Sequence, residues 1–281
     1  MVAGCELVAA TFGRYRMRFS ILPALLFAAT VFAAGVRAQT EASSQQPKPG
    51  PHPAYAQVPP GTILPIRLNH GLASKNRRPG QAISERIMQD VPLPQGGKLP
   101  AGAKVLGTIL AATPGSGNSP GMISFRFNAI EYHHTKMPLM TNLRALASSL
   151  EVQFAQTPET SPGFGTPYNW ATTELIGGDQ KYGVGGPVTD RGGQTVGEGT
   201  ADGVLVHVRA QAGSPCHGEP EGQDRLQALW VFSSDACGVY GMAGVRIIHA
   251  GRTAPLGEIV LSSEAGDVNV RAGSGMLLRV Q

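Results

Sequence analysis

Glycine and proline punctuate this chain too densely for long helices. It holds 37 Gly and 22 Pro in 281 residues. Glycine weakens a helix through backbone entropy, and proline breaks it by lacking an N–H. What survives between them are short apolar runs bounded by turn residues, the pattern of short strands. Only 15% of the residues are charged, against about 25% in an ordinary soluble domain. The expected fold is mainly β: a small β-barrel or β-sandwich, as one unit or as two β subdomains joined by a long Gly/Pro-rich connection.

The strand pattern is uneven. Ile63, Ile66 and Leu68 follow a Pro-Pro-Gly turn, and the apolar runs over residues 82–91 and 105–110 each follow a Pro/Gly turn. Pro59-x-Gly61 recurs as Pro100-x-Gly102. Ile123, Phe125 and Phe127 alternate with Ser124, Arg126 and Asn128, the period of two of a half-buried strand, with residues 136–144 as its expected partner. Residues 148–200 carry Gly and Pro so often that they read as a linker or an ordered insertion. After them, strands are expected within residues 204–208, 226–232, 245–249, 257–261, 268–271 and 276–280, with the last two forming a hairpin around Gly273-Ser274-Gly275.

The first residues read as an export signal. Arg14, Arg16 and Arg18 precede an apolar run over residues 19–34, and Val36-Arg37-Ala38 supplies a small-residue cleavage site. The run is shorter than the roughly 20 residues that span a bilayer as a helix. Met17 is an alternative start. Residues 1–38 are therefore read as a signal peptide, and 39–57, rich in Gln, Ser, Pro and Glu, as a disordered linker. The remaining divisions are 58–147, a β-barrel part; 148–200, the Gly/Pro-rich insertion or linker; and 201–281, a C-terminal β region with a disulfide. No integral membrane segment is expected once the signal is removed. The whole chain is +4, but residues 1–38 hold four of its 23 basic and one of its 19 acidic residues, which leaves 19 minus 18, or +1. Scattered basic residues at that net charge are not the footprint of a nucleic-acid binder.

Of three cysteines, Cys5 falls in the leader, and Cys216 and Cys237 make an even pair. In an oxidising compartment such a pair reads as a disulfide. The rival reading is a metal site of Cys216, His217, Cys237 and His249, without the C-x-x-C spacing that zinc sites favour.

A search for chemistry assigns no catalytic, cofactor-binding or metal-binding residue. Zincin, P-loop and dinucleotide motifs are missing from the sequence. Adjacent His133 and His134 would point to opposite faces of a strand. Ser233-Ser234-Asp235 with His249 supplies triad residue types, but a triad is recognised by geometry. Gly177-Gly178-Asp179-Gln180 reads as a loop more readily than as an anion cradle. Tyr168, Trp170, Tyr182 and Trp230 form a candidate ligand platform, or else core anchors.

Residues 58–130 carry an ordered set of motifs: Pro60-Gly61-Thr62-Ile63, Leu68, Gly71-Leu72, Ser74, Pro79-Gly80-Gln81, and Leu99-Pro100-x-Gly102-x-x-Val105-x-Gly107. This order resembles the C-terminal β-barrel of the VirB10/TrbI family, envelope-spanning components of type IV secretion systems. The resemblance implies a small β-barrel working in a bacterial envelope. Family members are held by a membrane anchor and a long Pro-rich spacer, whereas this chain has a cleavable signal and a short spacer.

The sequence thus leads to a non-catalytic exported β-protein in the periplasm, at the outer-envelope surface or outside the cell. It would act through contacts with envelope proteins, with no cofactor and no nucleic acid. The alternatives are a secreted module binding glycan or another small ligand, and, with least support, an exported hydrolase.

Overall fold

The computed structural model describes residues 57–158, 171–210, 214–216 and 225–281. These belong to one compact unit spanning residues 49–281. The expected leader lies outside the described residues, as does the linker apart from residue 57.

Pro-Gly turns launch the first strands. Gly61, Gly80 and Gly102 sit at φ 80°, 82° and 85°, ahead of β1 (Ile63–Arg67), β3 (Ala82–Ile87) and β6 (Lys104–Thr113). Between them lie β2 (Leu72–Ala73), β4 (Val91–Pro92) and β5 (Lys98–Leu99). Then come β7 (Met122–Tyr132), β8 (Thr135–Pro138), β9 (Thr141–Ala147) and a short helix, α1 (Ser149–Phe154). Ser148 caps α1 by accepting a hydrogen bond from the Glu151 N–H. The middle of the chain supplies β10 (Thr172–Glu174), β11 (Gln180–Tyr182), β12 (Pro187–Thr189), β13 (Thr195–Gly199), β14 (Val204–Val206) and β15 (Gln227–Ala228). The last strands are β16 (Gly238–Tyr240), β17 (Val245–His249), β18 (Ile259–Ser263), β19 (Asn269–Val270) and β20 (Gly275–Val280).

These strands build a nearly closed barrel and a second, smaller sheet. The barrel runs β16-β9-β20-β1-β3-β6-β7-β18-β17, with β8 added to β7. Its neighbours are antiparallel except β16 and β9, which run parallel. Leu64, Ile66, Ile83, Ile87, Val105, Ile109, Phe125, Phe127, Met276 and Leu278 fill its interior. Register shifts between β6 and β7 bend the wall. At one of them a Cβ on Gly107 would lie 2.3 Å from the Arg126 carbonyl, so only glycine permits this approach.

The second sheet is the meander β10-β11-β12-β13-β14-β15. After β15 the chain returns to its first strand: the Ile176 N–H donates to the Val231 carbonyl at 2.9 Å, and the Ser233 N–H to Ile176 at 2.9 Å. Val188, Val196, Val204, Val206, Leu229, Trp230 and Phe232 form its core, joined by Ile63, Ala145, Ala147 and Leu277 from the outer face of the barrel. β9 and β20 are thus covered on both faces, and every residue in them is buried. That is why β20 reads Met-Leu-Leu without alternation, while β9 buries Thr141, Asn142 and Arg144 along with its apolar residues. Within residues 148–200 the described residues hold α1 and β10–β13.

Two strand expectations need correction. The strand expected over residues 136–144 is broken: β8 pairs with β7, while β9 crosses to β20. Pro138, which has no N–H for a ladder, ends β8. The last two strands do not form a hairpin. β19 pairs with β2, and β20 lies between β1 and β9. Apolar spacing marks a strand but leaves its partner open.

Glu85 alternates with Ile83 and Ile87 on β3 and is fully buried among apolar neighbours. Oε2 accepts from the Asn69 N–H, while Oε1 has no partner. Burial raises its pKa from 4.5 to about 7, against the lowering pull of the Asn69 N–H and the Arg77 charge. The folded state therefore holds this proton more tightly than the unfolded chain. The stabilisation is complete below pH 4.5 and is lost as pH rises through about 7. At about 1.4 kcal/mol per pH unit, the span is roughly 3 kcal/mol. Urea denaturation of wild type and Glu85→Gln at acid and mildly alkaline pH checks this: wild type should lose stability relative to the variant as pH rises, and a constant difference would contradict it.

Phe125 is fully buried, edge-on to Phe127 with ring centroids 5.8 Å apart. Phe125→Ala is expected to cost about 3–5 kcal/mol in the same assay, through lost burial and the cavity left behind. A loss under about 1 kcal/mol would mean that this interior is not close-packed.

Candidate functional site at the barrel seam

The barrel does not close evenly. At the start of β9 the Leu143 N–H donates to the Ala250 carbonyl just beyond β17, at 2.8 Å, and joins the two ends of the wall. Farther along, β9 is taken by β16, and no ladder joins β16 to β17 among the described residues. Antiparallel ladders alternate their bonding. The Glu264 N–H donates to Gly244 at 2.7 Å, so Arg246 faces β18 and Ile247 turns its N–H and C=O to the seam. On the opposite rim, the Ser148 N–H donates to Tyr240 at 3.0 Å, which turns Val239 to the same seam. Val239, Val245 and Ile247 pack on the barrel core yet stay only partly buried.

Two grooves flank this seam and share Ile248, Ala250 and Arg252. The larger, about 790 Å3, has Asn142 and Arg279 on one wall and Met140, Ile248, His249 and Leu256 around it. The smaller, about 470 Å3, is lined by Arg144, Val239, Arg246 and Ile247 among others. Among the described residues, no Asp or Glu side chain lines either groove. Asn142 and Arg279 are register partners on β9 and β20, 6% and 7% exposed.

A covalent arm braces the seam. Cys216 and Cys237 are joined as a disulfide, Sγ–Sγ 1.98 Å and Cα–Cα 6.0 Å, which ties residues 214–216 to the start of β16. Arg252 donates to Pro215 at 2.9 Å and to Leu143 at 3.2 Å, linking this arm to β9. Oxidation of both sulfurs to one bond removes the metal reading of Cys216, His217, Cys237 and His249, of which His217 lies outside the described residues.

The other candidates take structural positions. Ser233 and Ser234 are fully buried. Ser233 Oγ accepts from the Asp179 N–H at 2.9 Å, and the Ser234 N–H donates to Asp179 Oδ2 at 2.7 Å. Burial pushes the Asp179 carboxyl up, opposed by Ser234. His249 engages elsewhere, Nδ1 with the Glu258 carbonyl at 2.7 Å and Nε2 with Thr253 Oγ1 at 3.3 Å. No hydrogen bond joins it to Ser234 or Asp235 among the described residues. The glycine loop is filled by the protein itself, since Asp179 is buried within it and Arg191 donates to the Gly177 carbonyl. Arg209 pairs with Asp190 at 2.6 Å and holds that carboxyl below its ordinary range. His133 and His134 form the exposed two-residue turn between β7 and β8, at φ 45° and 62°.

Of the aromatic platform, Tyr168 and Trp170 lie outside the described residues. Tyr182 is 41% exposed on β11, whereas Trp230 is 3% exposed in the second core. Trp230 also holds φ 56°, a strained backbone for a bulky residue. Its N–H donates to the buried Gln89 Oε1 at 2.7 Å, and Gln89 Nε2 donates to Val204 at 2.9 Å. Gly203 makes room for this, since a Cβ there would lie 2.6 Å from both Gln89 Oε1 and the Trp230 Cα.

Sequence reading missed Asn142, Arg252, Arg279, Ile248 and Leu256, because they meet only when β9, β20 and the loop after β17 converge. The one available signal was Arg279 interrupting an otherwise apolar run. No protein family, curated protein or solved structure matches this chain.

The cysteines are 21 residues apart, and a cross-link of that span stabilises by about 3 kcal/mol in chain-entropy terms. The unfolded, unreduced protein should show no reactive thiol at Cys216 or Cys237. Replacing both by serine should lower stability by about that amount. Two reactive thiols, or an unchanged denaturation midpoint, would contradict the brace.

Proposed function

We propose that this chain is a non-catalytic exported β-protein of the cell envelope, acting through contacts with envelope proteins. The observation that carries the reading is the seam: an incompletely paired barrel wall beside two grooves with exposed Met140, Ile248 and Leu256. Exposed apolar side chains gathered at a concave, arginine-lined site are what protein-binding surfaces offer. The motif order that resembles the VirB10/TrbI barrel supports the same reading. Its Pro-Gly elements fall on the turns that enter β1, β3 and β6. Among the described residues no helix is long and apolar enough to cross a membrane.

Crosslinking in intact cells, followed by purification of the tagged full chain, tests the proposal. An envelope protein should be recovered in stoichiometric amount after stringent washing. Recovery of the chain without any crosslinked protein would end the proposal.

A further inference from the structure

A charged side chain stands on the covered face of the second sheet. On β11, Lys181 lies opposite Thr173 of β10 and Val188 of β12, and residues opposite one another in an antiparallel pair share a face. Thr173 and Val188 are 5% and 0% exposed, and Lys181 is itself half-buried. Its methylene stem is held against Gly199, where a Cβ would come within 3.0 Å of Cγ and 3.2 Å of Cδ. Among the described residues no carboxylate pairs with it. Burial pushes the pKa of its ammonium down, and no neighbour opposes that shift. A charge taken out of water is costly unless it is paired.

Lys181 lines a cavity of about 290 Å3, at the small end of ligand pockets. Met88, Leu175 and Trp230 supply apolar lining, and Gln156 and Asp202 supply polar lining. Asp202, the one carboxylate among the described lining residues, is exposed to water and forms no ion pair with Lys181. Trp230 holds its φ of 56° at this cavity, and backbone strain of that kind gathers at ligand sites. The cavity shares no described lining residue with the two grooves at the seam.

We propose that this cavity binds a small organic acid, with its carboxylate on Lys181 and its hydrocarbon end against Met88 and Leu175. The site is separate from the protein-contact surface and does not depend on it. The carboxylate supplies the counter-charge that the half-buried ammonium lacks, through hydrogen bonds about twice as strong as neutral ones. A neutral amide of the same shape would leave the ammonium without a counter-charge, and an amine would be repelled. The volume limits the ligand to a short hydrocarbon end.

NMR of the purified full chain, with isotope-labelled methionine methyl groups, tests this with butyrate as the probe and Met88→Leu to assign the Met88 signal. Butyrate should shift the Met88 methyl in a saturable way. Butyramide should bind about tenfold more weakly, through the loss of one charge-assisted bond. Lys181→Met keeps the stem and removes the charge. It should weaken butyrate binding by a similar factor, while its urea midpoint stays level or rises. Ala201→Phe, at the exposed rim of the cavity, is a second variant and should lose the response by occlusion. Equal binding of butyrate and butyramide, a Met88 methyl unmoved by butyrate, or a full response in either folded variant overturns the proposal. So does displacement of butyrate by inorganic phosphate at lower concentration than by acetate, which would make this an inorganic-anion site.

Discussion

The hydrogen bond from Leu143 to Ala250 joins the two ends of the barrel wall, and much of the molecule is arranged around that junction. An open sheet of this length would leave two long edges, each able to pair with another chain. Joining β9 to the end of β17 turns those edges inward at one end of the wall. It also brings Asn142, Arg279 and Arg252 together with residues that lie more than a hundred positions apart in sequence. β16 then occupies the rest of the β9 edge, which leaves the seam between β16 and β17. The disulfide and Arg252 brace the side of the wall where backbone pairing is thinnest.

The second sheet depends on the same strands from the other side. Ile63, Ala145, Ala147 and Leu277 leave the barrel's outer face to enter the second core. β1, β9 and β20 therefore serve two cores at once. Gln89 adds a polar link, reaching from the end of β3 to the backbone of Trp230 and Val204. A side chain that satisfies two buried backbone groups fixes the sheet's position more narrowly than apolar packing does. The strained Trp230 backbone persists because Gln89, Gly203 and the surrounding valines hold it there.

Much of the fold was legible in the sequence, and the reason is local. The Pro-Gly turns before β1, β3 and β6 and the alternation of Ile123, Phe125 and Phe127 depend only on near neighbours, and β17 falls on its expected residues. Pairing was not legible: β19 joins β2 and β20 joins β1 across the whole chain length. The cysteine pair could be read because two cysteines outside the expected leader allow only one intrachain pairing. The groove could not, because its wall comes from β9 and β20, its rim from β17 and from the residues flanking β9 and β18, and none carries a motif. Trp230, a plausible surface aromatic by composition, is instead a core residue, since the hydrophobic cluster of the second sheet closes over it.

The central claim is that the barrel wall is paired on one side of β17 and unpaired on the other. Native-state amide hydrogen exchange reads this directly, residue by residue. Arg246, bonded to β18, and Leu143, bonded to Ala250, should be protected together with the barrel core. Ile247, between them in the fold and turned to the seam, should exchange far faster than Arg246. Equal protection of Ile247 and Arg246 would show a fully paired wall and contradict the account.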